Sequence, residues 1–141
     1  MKEAKTKVNR IIDKMMVKDS FSQWLGIERI KESEGYCKIK MELREEMTNG
    51  FDVAHGGITF SFADSAFAFA SNSHGKKAVS VETSISHTRP VFVGDVLIAE
   101  ATLLNLSKNL GIYNVKISNQ NEKTVALFKG TVFRKNEEWE V

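Results

Sequence analysis

The chain has one cysteine, one proline and three histidines in 141 residues, and a net charge of only +2 from 20 basic and 18 acidic side chains. A lone Cys37 excludes an intramolecular disulfide and the cysteine-based zinc patterns. His55, His74 and His87 are too scattered to form a metal site, so neither a metal nor a resident cofactor is expected. Near-neutral charge makes nucleic acid no default partner. Lys2, Lys5, Lys7 and Arg10 cluster near the start, but Glu3 and Asp13 interrupt them, as on a solvated helix face. The longest apolar stretch, about Ile58 to Ala70, is too short to cross a bilayer and carries an aspartate. The apolar residues near the N-terminus are spaced rather than consecutive, unlike a signal peptide. These absences favour a cytoplasmic protein, and 141 residues with 42% hydrophobic content fit a single domain over residues 1–141.

Periodicity locates the elements. Val8, Ile11, Ile12, Met15 and Met16 form one stripe of an amphipathic helix within residues 1–18. Asp19 or Ser20 caps a second short helix through Phe21 and Trp24. Leu25 to Lys31 is a strand candidate, and Ser33-Glu34-Gly35 a turn. Cys37, Ile39, Met41 and Leu43 alternate with Lys38, Lys40, Glu42 and Arg44, which predicts a half-buried strand. After the loop at Thr48-Asn49-Gly50, Gly56-Gly57 opens a segment to Ser71 that is apolar all round a helical wheel, so burial on every side is expected. His74-Gly75 ends it.

Strands follow. Val79, Val81, Thr83 and Ile85 alternate with Ser80, Glu82, Ser84 and Ser86. Further strands run from Val96 to Leu106, Leu110 to Ser118 and Thr124 to Phe133, joined by short turns that favour an antiparallel meander. Pro90 falls between strands, where it leaves the ladder intact. The economical architecture is α+β, a curved antiparallel sheet wrapped around the apolar helix.

Asp64 is the sole ionisable group of that helix. Burying an unpaired carboxylate is costly, and Phe60, Ser61, Phe67 and Ala68, three and four positions away, offer no cation. Such carboxylates concentrate at functional sites, although a capping or ion-pairing role is the plain alternative. Upstream, His55-Gly56-Gly57 offers free N–H groups at a helix start, suited to an oxyanion. Seven residues separate Gly57 from Asp64, nearly two turns, so the two lie on similar faces.

The run Asn49 to Ser73, NGFDVAHGGITFSFADSAFAFASNS, closely resembles the hotdog-fold thioesterases of the phenylacetate-pathway (PaaI) type. The likeness extends through Leu25-Gly26-Ile27, Ala78-Val-Ser-Val-Glu, Arg89-Pro90 and Gly94-Asp95. It implies a hotdog fold and hydrolysis of an acyl-CoA, with phenylacetyl-CoA or a ring-hydroxylated relative as substrate. It further implies a homodimer with a continuous sheet and two shared sites, and pairing of dimers into a tetramer. By position, Asp64 is the general base or nucleophile. Gly57, with Gly56, supplies the oxyanion N–H from the other protomer, so proximity along one helix is not the whole geometry. Asn49 holds water or the carbonyl, while His55 lines the pocket or shapes the glycine turn. Ser80 lies near the catalytic water, and Arg89, Lys108, Asn109 and Arg134 are candidates for the CoA phosphates. Phe60 and Phe67 are candidates for the acyl pocket.

Hotdog dehydratases carry a His-Phe-Pro segment, or an Asp followed five residues later by His; here Gly56 follows His55, and Phe69 stands five after Asp64. A non-catalytic acyl-CoA-binding protein has no need of Asp64, and a DNA-binding regulator needs more than the one helix ahead of Asp19. A medium-chain acyl-CoA remains an alternative substrate.

Overall fold

The structure, a computed structural model, describes residues 3–141, so Lys2 of the basic cluster lies outside the described residues. Helix α1 spans Lys7–Lys18 and opens with a reciprocal cap, in which Thr6 and Asn9 each bond the other's backbone N–H. Its apolar stripe buries Ile11 and Ile12 completely. Asp13 and Asn9 then fasten it to the sheet through Arg29 (2.6 Å) and Glu32 (2.7 Å).

Asp19 ends α1 and caps α2 (Ser20–Leu25). Gly26 closes α2 at φ 76° in the left-handed region. The expected strand from Leu25 therefore starts later: β1 is Glu28–Ser33, because Leu25 is the last helical residue.

Strand β2 (Tyr36–Glu42) alternates as its sequence demands, with Cys37, Ile39 and Met41 inward. Then come α3 (Gly56–Asn72), β3 (Lys76–His87), β4 (Val96–Leu106), β5 (Leu110–Ser118) and β6 (Thr124–Glu138). The sheet is antiparallel throughout, in the order β1-β2-β4-β5-β6-β3. It wraps α3, whose Phe62, Ala63, Ala66, Phe67, Phe69 and Ala70 enter the core.

Three further expectations need correction. First, β6 continues past Phe133 to Glu138, because its polar tail pairs with the start of β3, Ala78 opposite Arg134 and Lys76 opposite Glu138. Second, β3 does not alternate strictly. A register shift between Ser80 and Glu82 puts Ala78 and Ser80 on the same face as Thr83, Ile85 and His87, opposite the inward residues of β6. Third, α3 is not covered on every side: Gly57 is exposed, and Phe60, Ser61, Asp64 and Ala68 are half-buried along one stripe.

At its far end α3 is stitched to the sheet by Asn72. Its carboxamide nitrogen donates to the Ala78 carbonyl (3.2 Å), and its oxygen accepts from the Ala78 N–H (2.9 Å) and the Trp139 indole N–H (2.9 Å).

Candidate active site

Asp64 sits near the middle of α3, on its open stripe. Among the described residues no hydrogen-bond donor or cation lies on its carboxylate. Burial holds its pKa above the ordinary carboxylate value, and the nearby Asp19 carboxylate pushes in the same direction. That neighbour comes from the junction of α1 and α2. Asp19 accepts from the Ser22 N–H (2.9 Å) and from the Ser22 hydroxyl (2.6 Å). The Ser22 hydroxyl lies 2.8 Å from that of Ser65, the residue after Asp64. Forty-five residues separate Asp19 from Asp64, so no spacing in the chain pointed to the pairing.

The start of α3 forms a separate pole. His55 caps the helix, its Nδ1 accepting from the Gly57 N–H at 2.9 Å. The expected oxyanion donor thus already serves the cap, whereas the Gly56 N–H has no acceptor among the described residues. A side chain at either glycine would crowd a histidine ring. A Cβ on Gly57 would lie 3.1 Å from His55 Nδ1, and one on Gly56 3.3 Å from His87 Cε1.

Asn49 commits its carbonyl oxygen to its own loop, accepting from Phe51 N (2.9 Å) and Val53 N (3.4 Å). Its carboxamide nitrogen donates to nothing among the described residues and is free to serve a ligand. A cavity of about 360 Å³ lies here, lined by Asn49, Ala54, Gly56, Thr59, His87 and Arg89 among others. The structure thus brings Asn49, Gly56 and Arg89 together, and Asp64 is not among the residues lining that cavity.

His87 is the residue sequence reasoning passed over. Its Nε2 lies 2.6 Å from Thr59 Oγ1, which also lies 3.1 Å from the Gly56 carbonyl. A hydroxyl has one proton, so the consistent chain runs from His87 Nε2–H to Thr59 and from Thr59 to Gly56. The alternation Thr83, Ile85, His87 carried the signal, obscured by the bulge before it.

The other candidates divide. Ser80 faces inward from β3 opposite Val132, yet stays exposed. Lys108, Asn109 and Arg134 meet at the β4–β5 turn, where Arg134 N donates to the Asn109 carbonyl and Nη1 to the Ser107 carbonyl, both at 2.7 Å. Arg89 instead donates to the Thr124 carbonyl (2.7 Å) at the opposite end of β6. Ten residues of strand, roughly 33 Å, separate the two groups within a protomer. Phe67 is core, 1% exposed and packed against Tyr113 and Phe128; Phe60 is half-buried against Phe128.

Two further reactive groups have no access. Burial pushes the Cys37 thiol up to about 12, which leaves it protonated and inert. His74 bridges Glu34 (3.3 Å) and the fully buried Tyr113 hydroxyl (2.7 Å), a structural tie beneath the end of α3. Asn49→Asp keeps the loop acceptor while removing the free N–H donor. It is expected to lower turnover about tenfold to a hundredfold with the melting temperature little changed, measured by thiol release and circular dichroism.

The chain is similar to known thioesterases and esterases. The model of the thioesterase superfamily matches residues 51–126. A putative esterase of Archaeoglobus fulgidus is 42% identical over 132 residues, covering 94% of this chain and 86% of the relative. The acyl-coenzyme A thioesterase PaaI of Escherichia coli is 42% identical over 120 residues, covering 85% of this chain and 86% of its own. The solved structure of the E. coli PaaI protein from the phenylacetic acid degradation operon superposes with a TM-score of 0.91 at 39% identity, covering 94% of this chain and 96% of that one. The chain belongs to the thioesterase superfamily: it is a thioester hydrolase with a hotdog fold of the PaaI type.

Proposed function

We propose that the protein hydrolyses an aryl-acetyl-CoA such as phenylacetyl-CoA in sites shared between two protomers. Asp64 acts as general base or nucleophile there, and the α3 start of the partner holds the thioester carbonyl. The observation that carries this is the separation of the two poles along one helix. Gly56 and Asp64 are eight residues apart, about 12 Å of helix. The free N–H groups at a helix start point backward along the axis, away from the residues that follow. A carbonyl hydrogen-bonded there lies beyond the ~3–3.5 Å attack distance of Asp64 on the same chain. A second copy supplies the missing carboxylate.

The edge of the sheet supports pairing. β3 is a terminal strand of twelve residues with no proline or glycine, and its Val79 and Val81 are exposed. Such an edge invites another strand. Antiparallel pairing of two β3 edges about a twofold axis continues the sheet and sets the beginning of one β3 beside the end of the other. Arg134 of one protomer, beside Ala78, then approaches the partner's Arg89, beyond His87. That cancels the 33 Å gap and gathers the cations for the CoA phosphates. Dimers pair again into a tetramer in this scheme.

At the carbonyl, the Gly56 N–H receives the developing oxyanion. A substrate oxygen that displaces His55 Nδ1 gains the Gly57 N–H as well. Asn49 orients the attacking water or the carbonyl through its free carboxamide N–H. No helix among the described residues is long and apolar enough to cross a membrane, and we place the reaction in the cytoplasm.

Two measurements test this. Phenylacetyl-, hydroxyphenylacetyl-, benzoyl- and straight-chain CoA esters are compared by thiol release. The aryl-acetyl esters should give the highest kcat/KM; a faster medium-chain ester would displace them, and no turnover on any ester would end the acyl-CoA proposal. Co-expression of Asp64→Asn with Asn49→Asp tests sharing. With random pairing, one site in mixed dimers is intact and about a quarter of wild-type activity should return. Sites built within one protomer would recover nothing.

A further inference from the structure

The α1–α2 junction reaches the same stretch of α3 that carries Asp64, and it does so through a buried polar contact. Ser22 is completely buried and Ser65 is 8% exposed, with 2.8 Å between their hydroxyl oxygens. The Ser22 proton goes to Asp19 Oδ2 at 2.6 Å, so Ser22 accepts from Ser65. The chain therefore runs Ser65 to Ser22 to Asp19, and ends on a carboxylate. A capping role alone asks only that Asp19 accept from the Ser22 N–H, which it does through Oδ1 at 2.9 Å. The second oxygen and the buried hydroxyl pair anchor that carboxylate beside the helix position that follows Asp64.

We propose that Asp19 is a positioning residue for Asp64: fixed across the α2–α3 contact by Ser22 and Ser65, its negative charge opposes ionisation of Asp64 and so sets where hydrolysis falls off in acid. This rests on the reading of Asp64 as the catalytic carboxylate.

Within the protomer, the surroundings leave Asp19 little competition. α2 (Ser20–Leu25) and the rest of α3 (Gly56–Asn72) contain no charged side chain. The strand charges of Lys38, Glu100, Lys116 and Lys129 lie on the outer face, since they alternate with the inward Cys37, Ile39, Ala99, Ala101, Val115, Ile117, Phe128 and Gly130. Lys14 and Lys18 of α1 and Lys77 of β3 line a cleft that also includes Asp19 and Trp139. Two of these ammonium groups are already engaged: Lys14 donates to the Glu140 carbonyl at 2.9 Å, and Lys77 pairs with Glu137 at 2.8 Å. None of the three contributes to the raised pKa of Asp64, whose causes are burial and then Asp19.

The sign follows. A base must be ionised to act, so activity rises with pH through the titration of Asp64. A neighbouring negative charge moves that titration upward, and its removal moves it downward.

The test uses the full-length protein and its Asp19→Asn and Ser65→Ala variants, with Asp64 followed by 13C NMR of its carboxyl carbon and kcat/KM for phenylacetyl-CoA followed against pH. Asparagine caps a helix as well as aspartate, so α2 is retained. Asp19→Asn should lower the Asp64 midpoint by roughly half a pH unit or more and carry the acid limb of kcat/KM with it. Ser65→Ala keeps the charge but loosens its anchor, and should move the midpoint in the same direction by less than Asp19→Asn does. An unchanged midpoint in Asp19→Asn overturns the proposal, as does an equal shift in Ser65→Ala, which would assign the effect to packing. A midpoint that moves while the acid limb stays fixed upholds the coupling of the two carboxylates and overturns Asp64 as the base.

Discussion

Asp64→Ala and Asp64→Asn are expected to lose acyl-CoA hydrolysis by about 10²- to 10⁴-fold, the usual cost of removing a general base or nucleophile, while both stay folded. The stability data should move the other way. The Asp64 carboxyl is held above its ordinary pKa, first by burial and then by Asp19, and nothing among the described residues compensates the charged form. A raised native pKa means that the folded state prefers the protonated group. That stability is fully present below the unfolded pKa and is lost as pH rises through the native value. At neutral pH the ionised carboxylate therefore burdens the fold, and Asp64→Asn should melt higher than wild type there. The advantage should shrink as pH falls into the carboxylate range. A capping or ion-paired aspartate would give the reverse, a variant less stable at neutral pH. Thiol release across pH and melting curves at two pH values separate these cases, and retained turnover in both variants would refute the catalytic role.

Gly130→Ala is expected to destabilise the protein by about 1–3 kcal/mol, and Gly130→Val by more, as overpacked cores do. A Cβ at Gly130 would lie 2.6 Å from Phe67 Cζ and within 2.9 Å of both Cε atoms. The ring has no retreat, because Phe67 is 1% exposed and wedged between Tyr113 and Phe128 at centroid distances of 5.9 and 5.5 Å. Phe67 stands one turn beyond Asp64, so displacing the ring also shifts the helix that presents the carboxylate. Urea denaturation should show the loss. Phe67→Leu placed in the Gly130→Ala background should cost far less than Phe67→Leu alone, since the smaller side chain relieves the clash. Simple additivity of the two changes would mean that the close approach of β6 to α3 is not what Gly130 provides.

Much of this architecture was legible from residue spacing. β2 announced itself through unbroken alternation, and α3 through its apolar run between Gly56-Gly57 and His74-Gly75. What escaped notice has physical reasons. The bulge in β3 changes which residues face inward, and Ser80 and Glu82 look like ordinary members of a period-two strand. The tail of β6 is too polar to read as strand; it is held by the pairing of β3 against it. Along α3, a wheel apolar on all sides implied full burial, yet the sheet leaves Gly57 exposed and Phe60, Ser61, Asp64 and Ala68 only half-buried. The candidate site was legible only in pieces. Asn49, Gly56 and Arg89 share a cavity, but spacing could reveal neither the Thr59–His87 contact nor Asp19 beside Asp64. These are consequences of tertiary folding between distant segments.

The strand order also governs how the chain comes together during synthesis. β3 is complete at His87, yet its partner within the chain is β6, which begins only at Thr124. Until that last segment leaves the ribosome, a long strand without proline or glycine has no partner of its own on either side. Its competitors are the same strands of neighbouring nascent chains. Non-local closure of this kind is slow, because loop entropy is lost before the contacts that repay it can form. Chains truncated ahead of Thr124 would therefore keep two bare edges on β3 and associate indiscriminately, whereas the finished chain covers one edge and leaves the other for specific pairing.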